Sequence, residues 1–149
     1  MRKITRYTAF LLFLSTLFLL DACEWTLSGS KKAAVLELSE PAVDNLFDGL
    51  TANDYQVFSG GFDSDMVEQV PAADFAVLKQ EWDRELGSYL SRQVERVTRS
   101  DEFYVVVYQA EFEKVTPVTV SVAFHRSGTI AFLAFESKTY SWSAWEENK

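Results

Sequence analysis

Cysteine and histidine each occur only once in this chain, as Cys23 and His125. A single cysteine excludes an intramolecular disulfide and any zinc site built from several cysteines. Glycine and proline are also scarce, with 6 and 3 copies, and the sequence has no glycine-rich phosphate-binding loop and no Gly-x-Ser-x-Gly nucleophile motif. We therefore expect no metal ion, no cofactor and no catalytic residue.

Basic residues are outnumbered by acidic ones, 14 to 22, which gives a formal net charge of -8. This balance argues against nucleic-acid binding, because phosphates are bound mainly by lysine and arginine. Hydrophobic residues make up 48% of the chain and aromatic residues 15%, which excludes a disordered protein. A chain of 149 residues with this composition is expected to form one domain with a sizeable core.

The N-terminal segment has the pattern of an export signal. Residues 1–6 are basic, and Ala9–Leu20 is a largely apolar run of 12 residues, whereas a membrane-spanning helix needs about 20. The next residues, Leu20-Asp21-Ala22-Cys23, resemble a bacterial lipobox, in which the signal peptide is cut before a cysteine that carries diacylglycerol. The resemblance implies that residues 1–22 are a lipoprotein signal peptide and that Cys23 is lipidated.

Lipidation would place the mature protein on the extracytoplasmic side of a cell membrane. Loss of residues 1–22 removes Arg2, Lys3, Arg6 and Asp21, so the net charge changes from -8 to -10. Anionic headgroups repel such a body, so attachment depends on the acyl chains, which contribute about 0.8 kcal/mol per buried methylene. Asp21 departs from the lipobox pattern, in which this position is usually small or apolar, and the alternative is an uncleaved anchor with an incidental thiol.

The mature chain is predicted to begin with a tether and helices. Residues 23–32 contain Ser-Gly-Ser and Lys-Lys and are typical of a flexible spacer. The following residues form either one kinked helix over Lys32–Thr51 or a fresh helix that starts near Pro41. Short helical turns are expected after Asn53, and the apolar spacing predicts a clear helix over about Ala72–Leu86.

Four strands are predicted next, because aromatic and β-branched residues alternate with polar ones. Their ranges are Ser88–Thr98, Phe103–Lys114, Val118–Phe124 and Thr129–Phe135. In the first of them, alternation puts Leu90, Val94 and Thr98 on one face and Tyr89 and Val97 on the other. Residues 33–137 are therefore expected to form an α+β domain, with N-terminal helices on one face of a curved four-stranded antiparallel sheet. Residues 138–149 are expected to be an aromatic and acidic tail.

The order of elements and several local motifs resemble the nuclear transport factor 2-like superfamily, also described as SnoaL-like or cystatin-like. The resemblance covers about 34–137 and is carried by Leu50–Phe58, Leu86–Tyr89, Tyr104–Tyr108 and Val120–Ile130. More narrowly, the chain resembles a domain-of-unknown-function family of that fold, found in exported proteins and ahead of α/β-hydrolase domains. The resemblance implies a cone-shaped fold, and this family has no catalytic signature that can be assigned to residues here.

Candidate binding residues are aromatic or carry the one imidazole: Tyr55, Trp82, Tyr104, Tyr108 and His125. Each also has a structural explanation, since tyrosines that share a strand face usually belong to a core. His125 is expected at an exposed turn, although enzymes of the superfamily often use an Asp–His or Asp–Tyr pair inside the cone. Asp54, Asp63 and Asp65 are the nearest carboxylates, and each is explained as well by helix capping as by a role as general base.

Three functions remain open from these residues. The first choice is a membrane-anchored lipoprotein whose non-catalytic domain binds a ligand or a protein. The second is a cone-type enzyme, similar to an isomerase or dehydratase, that acts on a small apolar substrate. The third is a structural interaction module of an envelope complex. A deep pocket with converging polar groups would favour the enzyme, and a filled cone would favour a binding module.

Both faces of the central strands are apolar, which predicts a partner on the outer face of the sheet. Phe103, Val105 and Val107 alternate with Tyr104, Val106, Tyr108 and Phe112, and the last strand sets Ile130 and Phe132 against Leu133 and Phe135. A half-solvated sheet should instead alternate apolar with polar residues. We therefore expect a homodimer, or docking to an envelope protein, through this face. The competing interpretation is that the tail, Tyr140–Trp145, folds over it.

Overall fold

The computed structural model describes residues 25–144, so the predicted signal peptide, Cys23 and Trp145 lie outside the described residues. The protein is α+β, with helices followed by an antiparallel sheet. The helices are α1 (Gly29–Ala52), α2 (Tyr55–Phe58), α3 (Ser64–Gln69) and α4 (Ala72–Glu85). The strands are β1 (Trp25–Thr26), β2 (Tyr89–Arg99), β3 (Phe103–Phe112), β4 (Val118–His125), β5 (Ile130–Glu136) and β6 (Ser141–Ser143).

Within residues 25–144 the sheet has six strands, in the order β1-β2-β3-β4-β5-β6, and not the predicted four. The first additional strand comes from the predicted spacer, where Trp25 and Thr26 pair with Arg99 and Thr98. The second comes from the predicted tail, where β6 pairs with β5. A flexible spacer was predicted for residues 23–32. For residues 25–32 this prediction is wrong, because they contribute β1 and the start of α1.

One helix runs through Pro41, so the structure favours a single long helix over a fresh start at that proline. The helix ends at Asn53, which adopts a left-handed conformation with φ of 55° and donates its backbone N–H to the last turn. Asp54 then accepts hydrogen bonds from Gln56 and Val57 and caps α2. This tight reversal lays α2 against the end of α1, next to Gly49.

A core of aromatic and aliphatic side chains joins the helices to one face of the sheet, here called the inner face. Trp82 of α4 lies 4.7 Å from Phe135 of β5 and 6.0 Å from Phe58 of α2, measured between ring centroids. Both α1 and α4 bury a stripe of residues spaced three or four apart, as amphipathic helices do. The buried residues of the stripes include Val43, Leu46, Phe47 and Leu50 on α1, and Phe75, Leu78 and Trp82 on α4.

Register shifts in β2 change which of its residues face the core. The pairing with β3 is irregular between Tyr89 and Ser91 and again between Val94 and Arg96. Val94 therefore lies on the inner face with Tyr89 and Val97, rather than opposite them as simple alternation predicts. Leu90 falls at the first irregularity and is 62% exposed. Each bulge adds one residue and reverses the alternation beyond it.

A similar shift corrects the faces predicted for β5. Ile130 pairs with Phe124 and Phe132 with Ala123, so the bulge at Ala131 separates two residues that alternation places together. Ile130 is fully buried in the core, on the face predicted for Leu133 and Phe135. Phe132 remains on the opposite face, here called the outer face.

The described part of the tail does not cover the outer face. Trp142 pairs with Phe135 in the sheet and packs at 5.1 Å against Trp82, both of which belong to the inner side. The predicted alternative, in which the tail folds over the outer face, therefore does not hold for Trp142.

Candidate functional site

A cleft of about 310 Å³ opens between α1 and the inner face of β2 and β3. It combines a carboxylate, a guanidinium and two phenol rings. The lining residues are Glu40, Tyr89, Ser91, Arg92, Val94 and Tyr108. The first irregularity in β2 turns Arg92 inward, toward the helix that carries Glu40.

Arg92 is the centre of the polar network in the cleft. Its Nη2 donates to Glu40 Oε2 at 2.8 Å and to Asp44 Oδ1 at 2.5 Å, and its Nη1 donates to the Tyr89 hydroxyl at 3.3 Å. Glu40 and Asp44 lie one helical turn apart on α1, so both carboxylates face the same side of the helix. The guanidinium therefore joins β2 to α1 across the opening.

Tyr108 completes the network from β3. Its hydroxyl donates to Glu40 Oε1 at 2.8 Å, so the two oxygens of Glu40 accept from different elements. The Arg92 guanidinium also lies 5.2 Å from the centre of the Phe47 ring and 5.5 Å from that of Tyr108. Such cation–π contacts contribute about 0.5 to 2 kcal/mol each, depending on desolvation.

Both proton-bearing groups at the centre of the cleft hold their protons firmly. Burial lowers the pKa of Arg92, but hydrogen bonds to Asp44, Tyr89 and Glu40 outweigh it and raise the pKa above its ordinary value. Burial, followed by the charge of Glu40, raises the pKa of Tyr108 well above its ordinary value. Arg92 and Tyr108 therefore act as fixed hydrogen-bond donors near neutral pH and are poorly suited to proton transfer.

The residues predicted from the sequence do not converge on this cleft. Tyr108 lines it, whereas Tyr55 donates its hydroxyl to Val70 O at 2.8 Å in the helical layer. Trp82 lies in the core and borders a separate cavity of about 80 Å³. Tyr104 contacts the Arg126 guanidinium, 4.2 Å from its ring centre, and is four strand residues from Tyr108.

His125 forms a pair with a carboxylate, away from the residues that line the cleft. Its Nε2 lies 2.7 Å from Asp63 Oδ2, while Asp63 Oδ1 accepts the backbone N–H of Met66 and caps α3. The His125 side chain is 42% exposed, so the pair lies at the surface. Asp54 caps α2, and Asp65 lies in the first turn of α3. The capping explanation holds for Asp54 and Asp63.

The main residues of the cleft that sequence reasoning missed are Glu40, Asp44, Arg92 and Tyr89. The segment that contains Arg92 is the most basic one after the predicted signal peptide, which is the one signal that could have drawn attention to it. Glu40 is 52 residues from Arg92 in the chain, so only the fold brings the two together.

No protein-family model, curated protein or solved structure matches this chain. Within residues 25–144, no group of three or more histidine, cysteine, aspartate or glutamate side chains could hold a metal ion. Any functional proposal therefore rests on the geometry of the described residues.

Proposed function

We propose that the protein is a lipid-anchored, extracytoplasmic interaction module with a nuclear transport factor 2-like fold, and that it binds through its surface. The filled interior supports this proposal: Phe47, Phe58, Trp82, Tyr108 and Phe135 are each no more than 1% exposed. The cavity beside Trp82 holds about 80 Å³, whereas small-molecule pockets usually enclose at least about 300 Å³. A cone-type enzyme needs room for substrate between the helices and the sheet. Aromatic rings fill the centre of that space here, and the cleft beside Arg92 lies at its margin.

The anchor in this proposal is Cys23 in its lipobox-like sequence. No helix within the described residues is both long and apolar enough to cross a membrane. The net charge of -10 on the chain after residue 22 opposes binding to anionic lipids, and we assign the attachment to acyl chains on Cys23. More than one acyl chain on the same residue makes such anchorage stable.

Replacing the anchor residue should release the protein from membranes. In Cys23→Ser we expect either loss from the membrane fraction or accumulation of a precursor that retains residues 1–22, because serine cannot form the thioether to diacylglycerol. Fractionation and intact mass measure both outcomes. Ser30→Ala, a hydroxyl substitution outside the lipobox, is the control and should remain in the membrane fraction. An unmodified Cys23 in the mature wild-type protein would refute the anchor.

The proposed docking surface is the outer face of the sheet. The register places Val105, Ala123 and Phe132 in one row across three strands, and Val107, Ser121 and Ala134 in the next. None of these six belongs to the core formed with the helices. Val107, Ala123 and Ala134 are nevertheless buried within the single chain, so the half-buried Val105 and Phe132 provide the accessible apolar surface. Trp142 lies on the inner side of the sheet, so its ring does not cover the outer face. We propose a second copy of the chain as the occupant, because antiparallel sheets can pack face to face through apolar rows.

Sedimentation can test this self-association. The protein without residues 1–23 should sediment as a dimer at tens of micromolar, and Phe132→Asp should shift it to a monomer, because the aspartate would carry charge into the apolar row. Val77→Asp is the matched control, since Val77 is 68% exposed on α4. A wild-type monomer at this concentration would contradict homodimerisation.

Binding of a small polar ligand in the Arg92 cleft is the second candidate function. The cleft volume of about 310 Å³ and the Tyr89 hydroxyl beside Arg92 favour it. An isomerase or dehydratase would also need a group that moves a proton, and the raised pKa values of Arg92 and Tyr108 disfavour both for that role. The cleft therefore supports binding better than catalysis.

A further inference from the structure

Trp25 is 69% exposed, more than any other large hydrophobic residue on the described surface. Its indole lies at the edge of the sheet, in the two-residue strand β1. Tryptophan with this exposure is poorly accommodated in water but well suited to the membrane interface, where the ring contacts lipid and the N–H remains near polar headgroups.

The covalent chain keeps Trp25 close to the proposed lipid anchor. Two trans peptide units separate Cys23 from Trp25, so their Cα atoms are at most about 7.6 Å apart. The headgroup layer on each side of a bilayer is roughly 5 to 8 Å thick. Acyl chains on Cys23 would therefore place Trp25 within or next to this layer.

The position of Trp25 is fixed relative to the sheet. Trp25 and Thr26 pair with Arg99 and Thr98, and the Leu27 N–H donates to Val97 O at 2.7 Å. Helix α1 begins at Gly29, two residues after Leu27. No flexible spacer therefore separates the anchor point from the folded domain within the described residues.

The exposed charges at this edge largely cancel. Arg96 and Arg99 of β2 are exposed, and Arg99 is the register partner of Trp25. Each basic residue near an anionic surface contributes about 1 kcal/mol. Asp101 and Glu102 in the adjoining turn are also exposed and offset this attraction. Tryptophan rather than charge therefore dominates the contact.

We propose that Trp25 inserts into the headgroup layer of the membrane that holds Cys23, so that the β1–β2 edge of the domain lies against the lipid. This inference rests on the proposed lipidation of Cys23. The ligand is the phospholipid interface itself, and a zwitterionic surface is sufficient because charge contributes little. In this orientation the β1–β2 edge of the sheet contacts the membrane, and the opposite edge, formed by β5 and β6, is directed away from the membrane.

Fluorescence quenching by brominated lipid tests the location of Trp25. The full-length protein, purified from membranes, is reconstituted into phosphatidylcholine vesicles that contain phosphatidylcholine brominated in the upper part of its acyl chains. The chain has 4 tryptophans, so quenching is compared between wild type, Trp25→Phe and the control Trp142→Phe. We expect quenching to fall at least about twofold in Trp25→Phe and to persist in Trp142→Phe.

Intact mass of the same samples separates this inference from the proposed anchor. Equal quenching in wild type and Trp25→Phe, with Cys23 acylated, would overturn the insertion of Trp25 and leave the lipoprotein proposal standing. An unmodified Cys23 would overturn both. Quenching that depends on Trp25 in an acylated protein supports both.

Discussion

Replacing Gly49 with alanine should destabilise the protein by about 3 kcal/mol or more, although alanine is the better helix former by about 1 kcal/mol. Gly49 is buried in the last turns of α1. A Cβ atom there would lie 2.1 Å from the backbone N of Phe58 and 2.5 Å from its Cα. Both are main-chain atoms, which cannot rotate away as the end of a side chain can. The clash therefore outweighs the helix propensity.

Thermal and urea unfolding would measure the effect of Gly49→Ala. A loss of 3 kcal/mol corresponds to a fall in Tm of about 10 °C for a domain of this size. Thr51→Ala, two residues along the same helix and exposed, is the control and should leave stability unchanged or raise it by a few tenths of a kcal/mol. A Gly49→Ala protein as stable as wild type would mean that α2 does not approach α1 this closely.

Local patterns predicted much of this fold because they depend on neighbouring residues. The spacing of Phe75, Leu78 and Trp82 predicts α4 and its buried face, and both are present. The alternation in residues 103–108 predicts which side chains of β3 share a face, and the register agrees. In each case the periodicity of the element is enough to assign the face.

Features that depend on distant pairing could not be predicted in the same way. The strands β1 and β6 have two and three residues, too few for a periodic signal, and each is defined by its partner strand. The bulges in β2 and at Ala131 depend on how two strands align. Each bulge reverses the alternation on one side, which explains the wrong faces for Val94 and Ile130.

The candidate site was missed for the same physical reason. Arg92 is turned inward by the first bulge in β2, and its carboxylate partners lie on a helix 48 and 52 residues earlier. In the sequence, Glu40 lies directly before Pro41, where a helix start is one of the predicted alternatives. That pattern indicates a residue at a helix end rather than one that faces the sheet. Tyr108 was identified as a candidate, but the acceptor of its hydroxyl could not be identified without the fold.

Removing the charge at Arg92 should have the second-largest effect, a loss of about 2 to 3 kcal/mol in Arg92→Met. Removing one member of a fully buried ion pair costs about 3 to 5 kcal/mol. Here the Glu40 side chain is 33% exposed and that of Asp44 is 61% exposed, so water replaces part of the lost interaction. Methionine preserves much of the apolar length of the arginine side chain, so the loss reflects mainly the guanidinium, including its contacts with the Phe47 and Tyr108 rings.

A double-mutant cycle with Glu40→Met shows whether the cleft network acts as a unit. In the single variant Glu40→Met, Tyr108 loses its acceptor and Arg92 keeps only Asp44, whereas the double variant removes both charges that face each other. We therefore expect the double variant to be about 1 to 2 kcal/mol more stable than the sum of the single losses predicts. Arg96→Met, an exposed position in the same strand, should change stability by less than about 0.5 kcal/mol. Additive losses, or equal effects at Arg92 and Arg96, would show that the network does not couple α1 to the sheet.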